Sequence, residues 1–237
     1  MRGEAEQKGG SGAASLGARR CRDAAGGGIL VVKVGGAVVG SELGAFEDAV
    51  VVHGGGRQIT AALADAGVES TFVGGRRVTS DVAIGVVRDA LVSVNRELCA
   101  AIGPNAVGLI ADEIGLKATR IVELGRVGAP VPSRPQAVLD ALAAGAIPVV
   151  APLAEGPLNL NADDLAAALA VGLGAERILF LTDVPGVLRD EQVLDQVEAH
   201  EVETGEFDGG ILPKLQAAVV AAREGVRAEI GATVVVA

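Results

Sequence analysis

The stretch Ile29-Leu30-Val31-Val32-Lys33-Val34-Gly35-Gly36 decides the fold, because it is a continuous apolar run that contains one lysine and ends in a glycine turn. A run of this kind is typical of a strand in a parallel sheet that is buried on both faces. Residues 49–52 repeat the arrangement, and His53 and three glycines follow them. The sequence therefore predicts two buried strands that each end in a glycine turn.

Further short apolar stretches alternate with helical patterns along the rest of the chain. Strands are predicted at residues 106–110, 146–150 and 177–181, and helices at residues 57–66, 81–102, 134–144 and 163–173. Asp81 is expected to cap the longest of these helices. Strands that alternate with helices indicate an α/β fold with a mainly parallel, open sheet covered on both faces. Residues 125–135 contain turn residues and predict a hairpin or loop over the sheet.

The composition predicts one soluble domain. The net charge of -10 and the pI near 4.7 disfavour nucleic acid and an anionic membrane as partners. No apolar stretch reaches the roughly 18 to 20 residues that span a bilayer. Cys21 and Cys99 indicate neither a disulfide framework nor a metal cluster, so a reducing cytoplasm is expected. Residues 1–28 are predicted to be a disordered tail, and residues 29–237 a single domain.

The ends of the predicted strands carry residue types that bind phosphate. In an open parallel sheet, ligands bind beyond the carboxyl ends of the strands. Those ends carry Lys33 with Gly35 and Gly36, His53 with three glycines, Thr182 with Asp183, and a helix start at residues 159–163. Backbone N–H groups of glycine turns and helix N-termini bind phosphoryl oxygens where no Cβ blocks the approach. One glycine turn alone can serve turn geometry, but the ordered set predicts a phosphate site.

Six motifs, taken in order, resemble those of a known family. They are Val32-Lys33-Val34-Gly35-Gly36, Val52-His53-Gly54-Gly55-Gly56, Gly75-Arg76-Arg77-Val78-Thr79, Asn159-Leu160-Asn161-Ala162-Asp163, Leu181-Thr182-Asp183-Val184-Pro185-Gly186-Val187-Leu188 and Gly209-Gly210-Ile211-Leu212-Pro213-Lys214. The lysine with paired glycines and the Thr-Asp-Val motif resemble the amino-acid kinase family. Arg-Val-Thr together with Asn-x-Asn-Ala-Asp narrows the resemblance to the acetylglutamate kinases. The resemblance runs from about residue 29 to residue 222 and implies a three-layer αβα sandwich.

The resemblance implies catalytic roles for two lysines and one aspartate. Lys33 and Lys214 would stabilise the transferring phosphoryl group from either side, and Asp163 would hold both lysines through charge-assisted hydrogen bonds. The attacking carboxylate is already ionised at neutral pH, so no catalytic histidine is required. His53 is therefore given no role in proton transfer.

The same resemblance implies where the substrates bind. The acyl-amino acid would bind Gly55, Gly56, Arg77 and Asn159, with the planar fork of Arg77 on its α-carboxylate. The nucleotide would lie against Gly35, Gly36, Thr182, Asp183, Val184, Pro185, Gly186, Val187, Leu188, Gly209 and Gly210. The implied cofactor is ATP with Mg²⁺, which bridges the β- and γ-phosphates, and no metal site made of protein side chains alone is predicted. The acyl-amino-acid half would extend to about residue 155, and the nucleotide half would follow it.

The implied activity is transfer of the γ-phosphoryl group of ATP to the side-chain carboxylate of N-acetyl-L-glutamate in arginine biosynthesis, by a cytoplasmic homodimer. Two alternatives stay open. One is a sister kinase that acts on a carrier-linked aminoadipate or another acyl-amino acid. The other is a shortened, inactive relative that only binds ligand, since residues 37–52 and 223–237 are short for the family. The second of these segments is expected to lead almost directly to a strand at residues 231–234.

Overall fold

The computed structural model describes residues 28–35 and 49–237, and a large sheet lies at its centre. The strands are β1 (Leu30–Val34), β2 (Ala49–His53), β3 (Phe72–Val73), β4 (Arg76–Arg77), β5 (Ala106–Ile110), β6 (Ala118–Arg120), β7 (Val127–Pro130), β8 (Ile147–Ala151), β9 (Leu153–Ala154), β10 (Leu158–Leu160), β11 (Arg177–Phe180), β12 (Leu188–Arg189), β13 (Gln192–Val193), β14 (Gln196–Glu198), β15 (Arg227–Ile230) and β16 (Thr233–Val236). The helices are α1 (Gly56–Asp65), α2 (Ala83–Ile102), α3 (Gln136–Ala143), α4 (Ala162–Leu173), α5 (Ala199–Glu203) and α6 (Leu212–Arg223), with short 3-10 helices at Val122–Leu124 and Gly209–Ile211.

The central sheet has eight strands in the order β14-β16-β15-β11-β1-β2-β8-β5. Every neighbouring pair is parallel except β15 with β16. The prediction of a mainly parallel open sheet is therefore confirmed. The five strands predicted from apolar runs lie within one or two residues of β1, β2, β5, β8 and β11.

Side chains of β1 alternate between two helical layers, as the period of two in a strand requires. Val31 packs in the core cluster that contains α4 and α6 residues. Val32 and Val34 pack on the opposite face, against Leu98 and Cys99 of α2. Helices thus cover both faces, which gives the three-layer αβα sandwich. The same alternation directs Lys33 to the side of Val31, towards α4.

Smaller sheets surround the carboxyl edge of the central sheet. One contains β6, β7, β10 and β9, and two hairpins are formed by β3 with β4 and by β12 with β13. A hairpin of β6 and β7 is present, but only its second strand, β7, lies within residues 125–135, where a hairpin or loop was predicted, because β6 ends at Arg120. Its second strand runs parallel to β10, which leads directly into α4.

Two local predictions were wrong. Asp81 does not cap α2, because the Ser80 hydroxyl accepts the hydrogen bond from Ala83 N at 3.1 Å. Asp81 is instead exposed and pairs with Arg126. The end of the chain also forms more sheet than expected, since β15 precedes β16 in an antiparallel pair. A turn at Gly231, with φ of +55°, connects these two strands.

Several predictions concern residues outside the described part of the chain. The predicted disordered tail falls almost wholly on residues 1–27, which the structure does not describe. Cys21 and Gly36 also lie outside the described residues. Within residues 28–35 and 49–237, no helix combines the length and apolar character needed to cross a bilayer.

Close packing of α4 against the loop before α3 generates a test of the fold. A Cβ built at Gly172 would lie 2.5 Å from the carbonyl carbon of Ser133 and would overlap its nitrogen and oxygen as well. Gly172→Ala should therefore lower the free energy of unfolding by about 1–3 kcal/mol, the usual cost of overpacking.

Gly85→Ala is the matched control, because Gly85 lies on α2 with nothing within 4 Å of a Cβ. That change should raise the free energy of unfolding by about 0.5–1 kcal/mol. Urea denaturation followed by far-ultraviolet circular dichroism suits a chain without Trp or Tyr. Equal effects of the two substitutions would contradict the packing described.

Candidate active site

Two clefts open at the carboxyl ends of β1 and β2 in the described part of the chain, and both are bordered by the glycine loop at residues 54–56. The larger, of about 550 Å³, is lined by Val34, Gly35, His53, Gly54, Gly55, Gly56, Arg57, Gln58, Val94, Glu97, Leu98, Ala101 and Asp183. The smaller, of about 190 Å³, is lined by Gly54, Gly55, Gly56, Ile59, Phe72, Gly75, Arg76, Arg77, Leu91, Val127, Pro152, Asn159, Leu160, Asn161, Ala162 and Asp163. The four residues predicted to bind the acyl-amino acid thus line one cleft with Asp163.

Two lysine ammonium groups meet a single carboxylate oxygen beside the smaller cleft. Lys33 Nζ and Lys214 Nζ each lie 2.9 Å from Asp163 Oδ1. The side chains of Lys33, Lys214 and Asp163 are 9%, 12% and 14% exposed. We call these three residues the lysine cluster. The structure brings together residues from three distant parts of the chain that were predicted to act together.

Each member of the lysine cluster is held by a different element. Lys33 lies near the carboxyl end of β1, whose neighbours β2 and β11 fix its backbone on both sides. Asp163 lies in the first turn of α4, where Asn161 Oδ1 accepts hydrogen bonds from Asp163 N at 2.8 Å and Asp164 N at 3.2 Å. Asn161 is a cap of the kind that satisfies free amides at a helix start. Lys214 follows Pro213 in the first turn of α6.

The electrostatic balance of the cluster is set by burial and by mutual attraction. Burial has the largest effect on Asp163 and opposes ionisation, but the two lysines outweigh it and leave the Asp163 pKa below its ordinary value. Burial also lowers the pKa of Lys33, and the attraction of Asp163 offsets only part of this effect. The cluster is therefore organised around an ionised carboxylate, and its lysines together carry one more charge than Asp163 neutralises.

Arg77 is fixed beside the same cleft by a dense set of contacts. Its guanidinium donates to Gly56 O at 3.0 Å, to Thr60 Oγ1 at 2.9 Å and to Ser70 Oγ. The ring of Phe72 lies 4.5 Å from the guanidinium carbon. Burial lowers the pKa of Arg77, but an arginine stays charged throughout the physiological range. The sequence analysis did not identify Thr60 or Ser70, because neither belongs to a motif.

Asn159 is joined through Thr79 to the backbone of Arg77. Asn159 Nδ2 donates to Thr79 Oγ1 at 3.1 Å, and Thr79 Oγ1 donates to Arg77 O at 2.9 Å. Thr79 is fully buried. The Arg-Val-Thr and Asn-x-Asn motifs therefore form one hydrogen-bonded unit, which holds the backbone of Arg77.

His53 has a structural environment. Its Nδ1 lies 2.7 Å from Gly54 O, and Asn95 Nδ2 lies 3.1 Å from its Nε2 and 2.8 Å from Val149 O. Burial lowers the pKa of His53. This geometry fits a neutral imidazole that donates from Nδ1 and accepts at Nε2. His53 thus supports the glycine loop. Its partner Asn95 was not identified in the sequence analysis, because Asn95 belongs to none of the six motifs.

The residues predicted for the nucleotide are spread along one side of the site. Gly35 and Asp183 line the larger cleft, and Thr182 precedes Asp183 at the end of β11. Gly209 and Gly210 form the 3-10 helix that leads to Lys214, and a Cβ on either would meet nothing within 4 Å. The remaining members of the predicted set, Val184, Pro185, Gly186, Val187 and Leu188, continue the same loop into β12.

Part of that loop has a packing explanation. Val187 is fully buried, and its N–H donates to Thr233 Oγ1 at 2.8 Å. A Cβ at Gly186 would lie 2.7 Å from the same hydroxyl oxygen. Ala232 N also donates to Pro185 O at 2.8 Å. Glycine is therefore required at residue 186 by the approach of β16, whether or not a nucleotide contacts it.

Residues 28–35 and 49–237 contain no group of three His, Cys, Asp or Glu side chains placed to hold a metal ion. Asp163 is already shared by two lysines. A divalent cation at this site would therefore depend on oxygen atoms supplied by a ligand and by water.

The chain is similar to known proteins over most of its length. A profile described as the amino acid kinase family matches residues 28–232. An acetylglutamate kinase from Rubrobacter xylanophilus is 43% identical over 85% of this chain and 87% of its own length. An acetylglutamate kinase from a Nocardioides species is 46% identical over 75% of this chain, which corresponds to 64% of its own length.

Among solved structures, smu.665 from Streptococcus mutans UA159 superposes with a TM-score of 0.77 at 27% identity, over 88% of this chain and 98% of its own. The predicted resemblance to acetylglutamate kinase is therefore confirmed. The chain belongs to the amino acid kinase family.

Proposed function

We propose that the chain transfers the γ-phosphoryl group of ATP to the side-chain carboxylate of N-acetyl-L-glutamate, a step of arginine biosynthesis. The observation that carries this proposal is the lysine cluster, in which two buried ammonium groups share one carboxylate oxygen. The relatives' shared name favours N-acetyl-L-glutamate over a carrier-linked aminoadipate as the acceptor. It also favours an active kinase over a protein that only binds ligand.

The reaction needs charge stabilisation more than proton transfer. The acceptor carboxylate, with an ordinary pKa of about 4.3, is ionised at neutral pH and attacks phosphorus directly. A bond forms between its oxygen and the γ-phosphorus, the bond to the bridging oxygen breaks, and ADP leaves with that oxygen. Negative charge spreads over the phosphoryl oxygens in the transition state. Lys33 and Lys214 are the buried cations available to stabilise it, and Asp163 holds both.

Arg77 is proposed to bind the α-carboxylate of the acceptor. A guanidinium has five N–H donors. Three donor contacts lie within the described part of the chain, to Gly56, Thr60 and Ser70, so two donors are left for a ligand. The start of α1 at Gly56 adds backbone N–H groups that have no intrahelical partner. Asn159 lies in the same cleft.

The nucleotide is proposed to lie beside the cluster, along Gly35, Asp183 and the Gly209–Gly210 turn. When bound, Mg²⁺ would neutralise charge on the β- and γ-phosphates, and phosphate oxygens and water would supply most of its ligands. The open space around Gly209 and Gly210 allows phosphate oxygens to approach their backbone. Their amides directly precede the helix that carries Lys214.

We further propose a cytoplasmic homodimer. Strand β5 is the last strand of the central sheet, and Val107 on it is 38% exposed. The unpaired backbone groups of an edge strand are a template for pairing with another chain. Size-exclusion chromatography with light scattering measures the mass in solution, and a monomer would contradict this part of the proposal.

The two lysines of the cluster should be essential for turnover. Lys33→Ala and Lys214→Ala should each lower kcat by roughly 10²–10³-fold, the usual effect of removing one group that stabilises transition-state charge. Hydroxamate formation from N-acetyl-L-glutamate, ATP, Mg²⁺ and hydroxylamine measures the acyl phosphate. Lys117→Ala is the control, because Lys117 is exposed and contributes to neither cleft. Full turnover by the Lys33 variant would contradict the proposal.

The pH dependence should show how Asp163 acts. Because burial lowers the pKa of Lys33, activity should fall at alkaline pH before the ordinary lysine value of about 10.4 is reached. Asp163 partly opposes that shift, so Asp163→Asn should lower the Lys33 pKa further and move the alkaline limb of kcat/KM to lower pH.

Profiles recorded from about pH 6 to pH 10 cover this range. Asp140→Asn, an exposed carboxylate on α3, is the control and should leave the limb in place. An alkaline limb that stays unchanged in Asp163→Asn would show that Asp163 does not control the charge of Lys33.

A further inference from the structure

The β3–β4 hairpin that carries Arg77 also makes an ion pair with α4. Arg76 Nη2 lies 2.6 Å from Asp164 Oδ2. Arg76 is the chain neighbour of Arg77, and Asp164 is the chain neighbour of Asp163. One ion pair therefore joins the element that would hold the acceptor to the helix that holds the lysine cluster.

A second contact joins the same hairpin to α6. Gly75, at the hairpin turn, has φ of +75°, and a Cβ there would lie 2.8 Å from Pro213 Cγ. Pro213 immediately precedes Lys214. The hairpin thus lies against the first turns of both helices that carry members of the cluster.

The ion pair is poorly explained as a source of stability. Its side chains are 32% and 19% exposed, and partly exposed ion pairs contribute little. Burial raises the pKa of Asp164, Arg76 opposes this, and Asp163 adds to it. Arg76 Nε is buried without a hydrogen-bond partner in the described part of the chain. Arg76 thus remains beside Asp164 at some cost, where it balances the second of two adjacent carboxylates.

We propose that Arg76 and Asp164 are positioning residues that clamp the acceptor-binding hairpin onto the helix carrying Asp163. The clamp couples binding of the acceptor at Arg77 to the placement of the lysine cluster. This inference rests on the proposed function, because it assigns the acceptor to Arg77. Neither residue is expected to contact the transferred phosphoryl group.

The test compares Arg76→Ala, Asp164→Asn and the double variant. Each single change should raise KM for N-acetyl-L-glutamate roughly three- to fivefold, the effect of losing one partly exposed ion pair. KM for ATP should stay within about twofold, since the clamp holds the acceptor side. The double variant should be no worse than either single one, because both remove the same interaction. Arg76→Lys keeps the charge and should recover most of the affinity.

Arg223→Ala is the matched control, because Arg223 pairs with Glu203 at the same distance of 2.6 Å on α6. It should change neither KM, and thermal unfolding should show that all variants are folded. Turnover by the wild-type protein with an unchanged acetylglutamate KM in Arg76→Ala would overturn the clamp alone. The clamp would also be overturned if the increases in acetylglutamate KM of the two single variants added up in the double variant. No turnover by the wild-type protein would overturn the proposed function and the clamp together.

Discussion

One oxygen atom, Asp163 Oδ1, is paired with the ammonium groups of both lysines in the lysine cluster, and the geometry of the site depends on this shared contact. Placing two cations and one anion where water is largely excluded costs several kcal/mol per ion before their attraction is counted. An apolar residue at position 33 of β1 would avoid this cost. The cluster is thus better explained by what it binds than by stability, and the fold supplies three separate elements to hold it.

The cluster also explains how an acidic protein can hold anionic substrates. The whole chain carries a net charge of -10 and repels anions at long range. Lys33, Lys214 and Arg77 provide local positive charge at the carboxyl edge of the sheet, where burial weakens screening. The starts of α1 and α6 add helix-dipole charge of the same sign. These positive charges therefore attract anionic substrates only at short range, within the clefts.

Much of the fold could be predicted because buried parallel strands appear as continuous apolar runs, and Lys33 stood out as a charge inside one. Strand β15 was missed since Arg227 and Glu229 interrupt any such run. The resemblance of motifs proposed the site residues one by one, but it did not indicate the pairs Arg76–Asp164 and His53–Asn95. Their members lie 88 and 42 positions apart, and no local pattern connects them. Only the folded chain shows that both pairs support motif residues.

A crystal structure with ADP, aluminium fluoride, Mg²⁺ and N-acetyl-L-glutamate would test the central claim most directly. Aluminium fluoride mimics the transferring phosphoryl group, so it reports where charge is stabilised. The account predicts that Lys33 Nζ and Lys214 Nζ both lie within hydrogen-bonding distance of the fluoride ligands while Asp163 still contacts the two lysines. An analogue bound without contact to either lysine would contradict it.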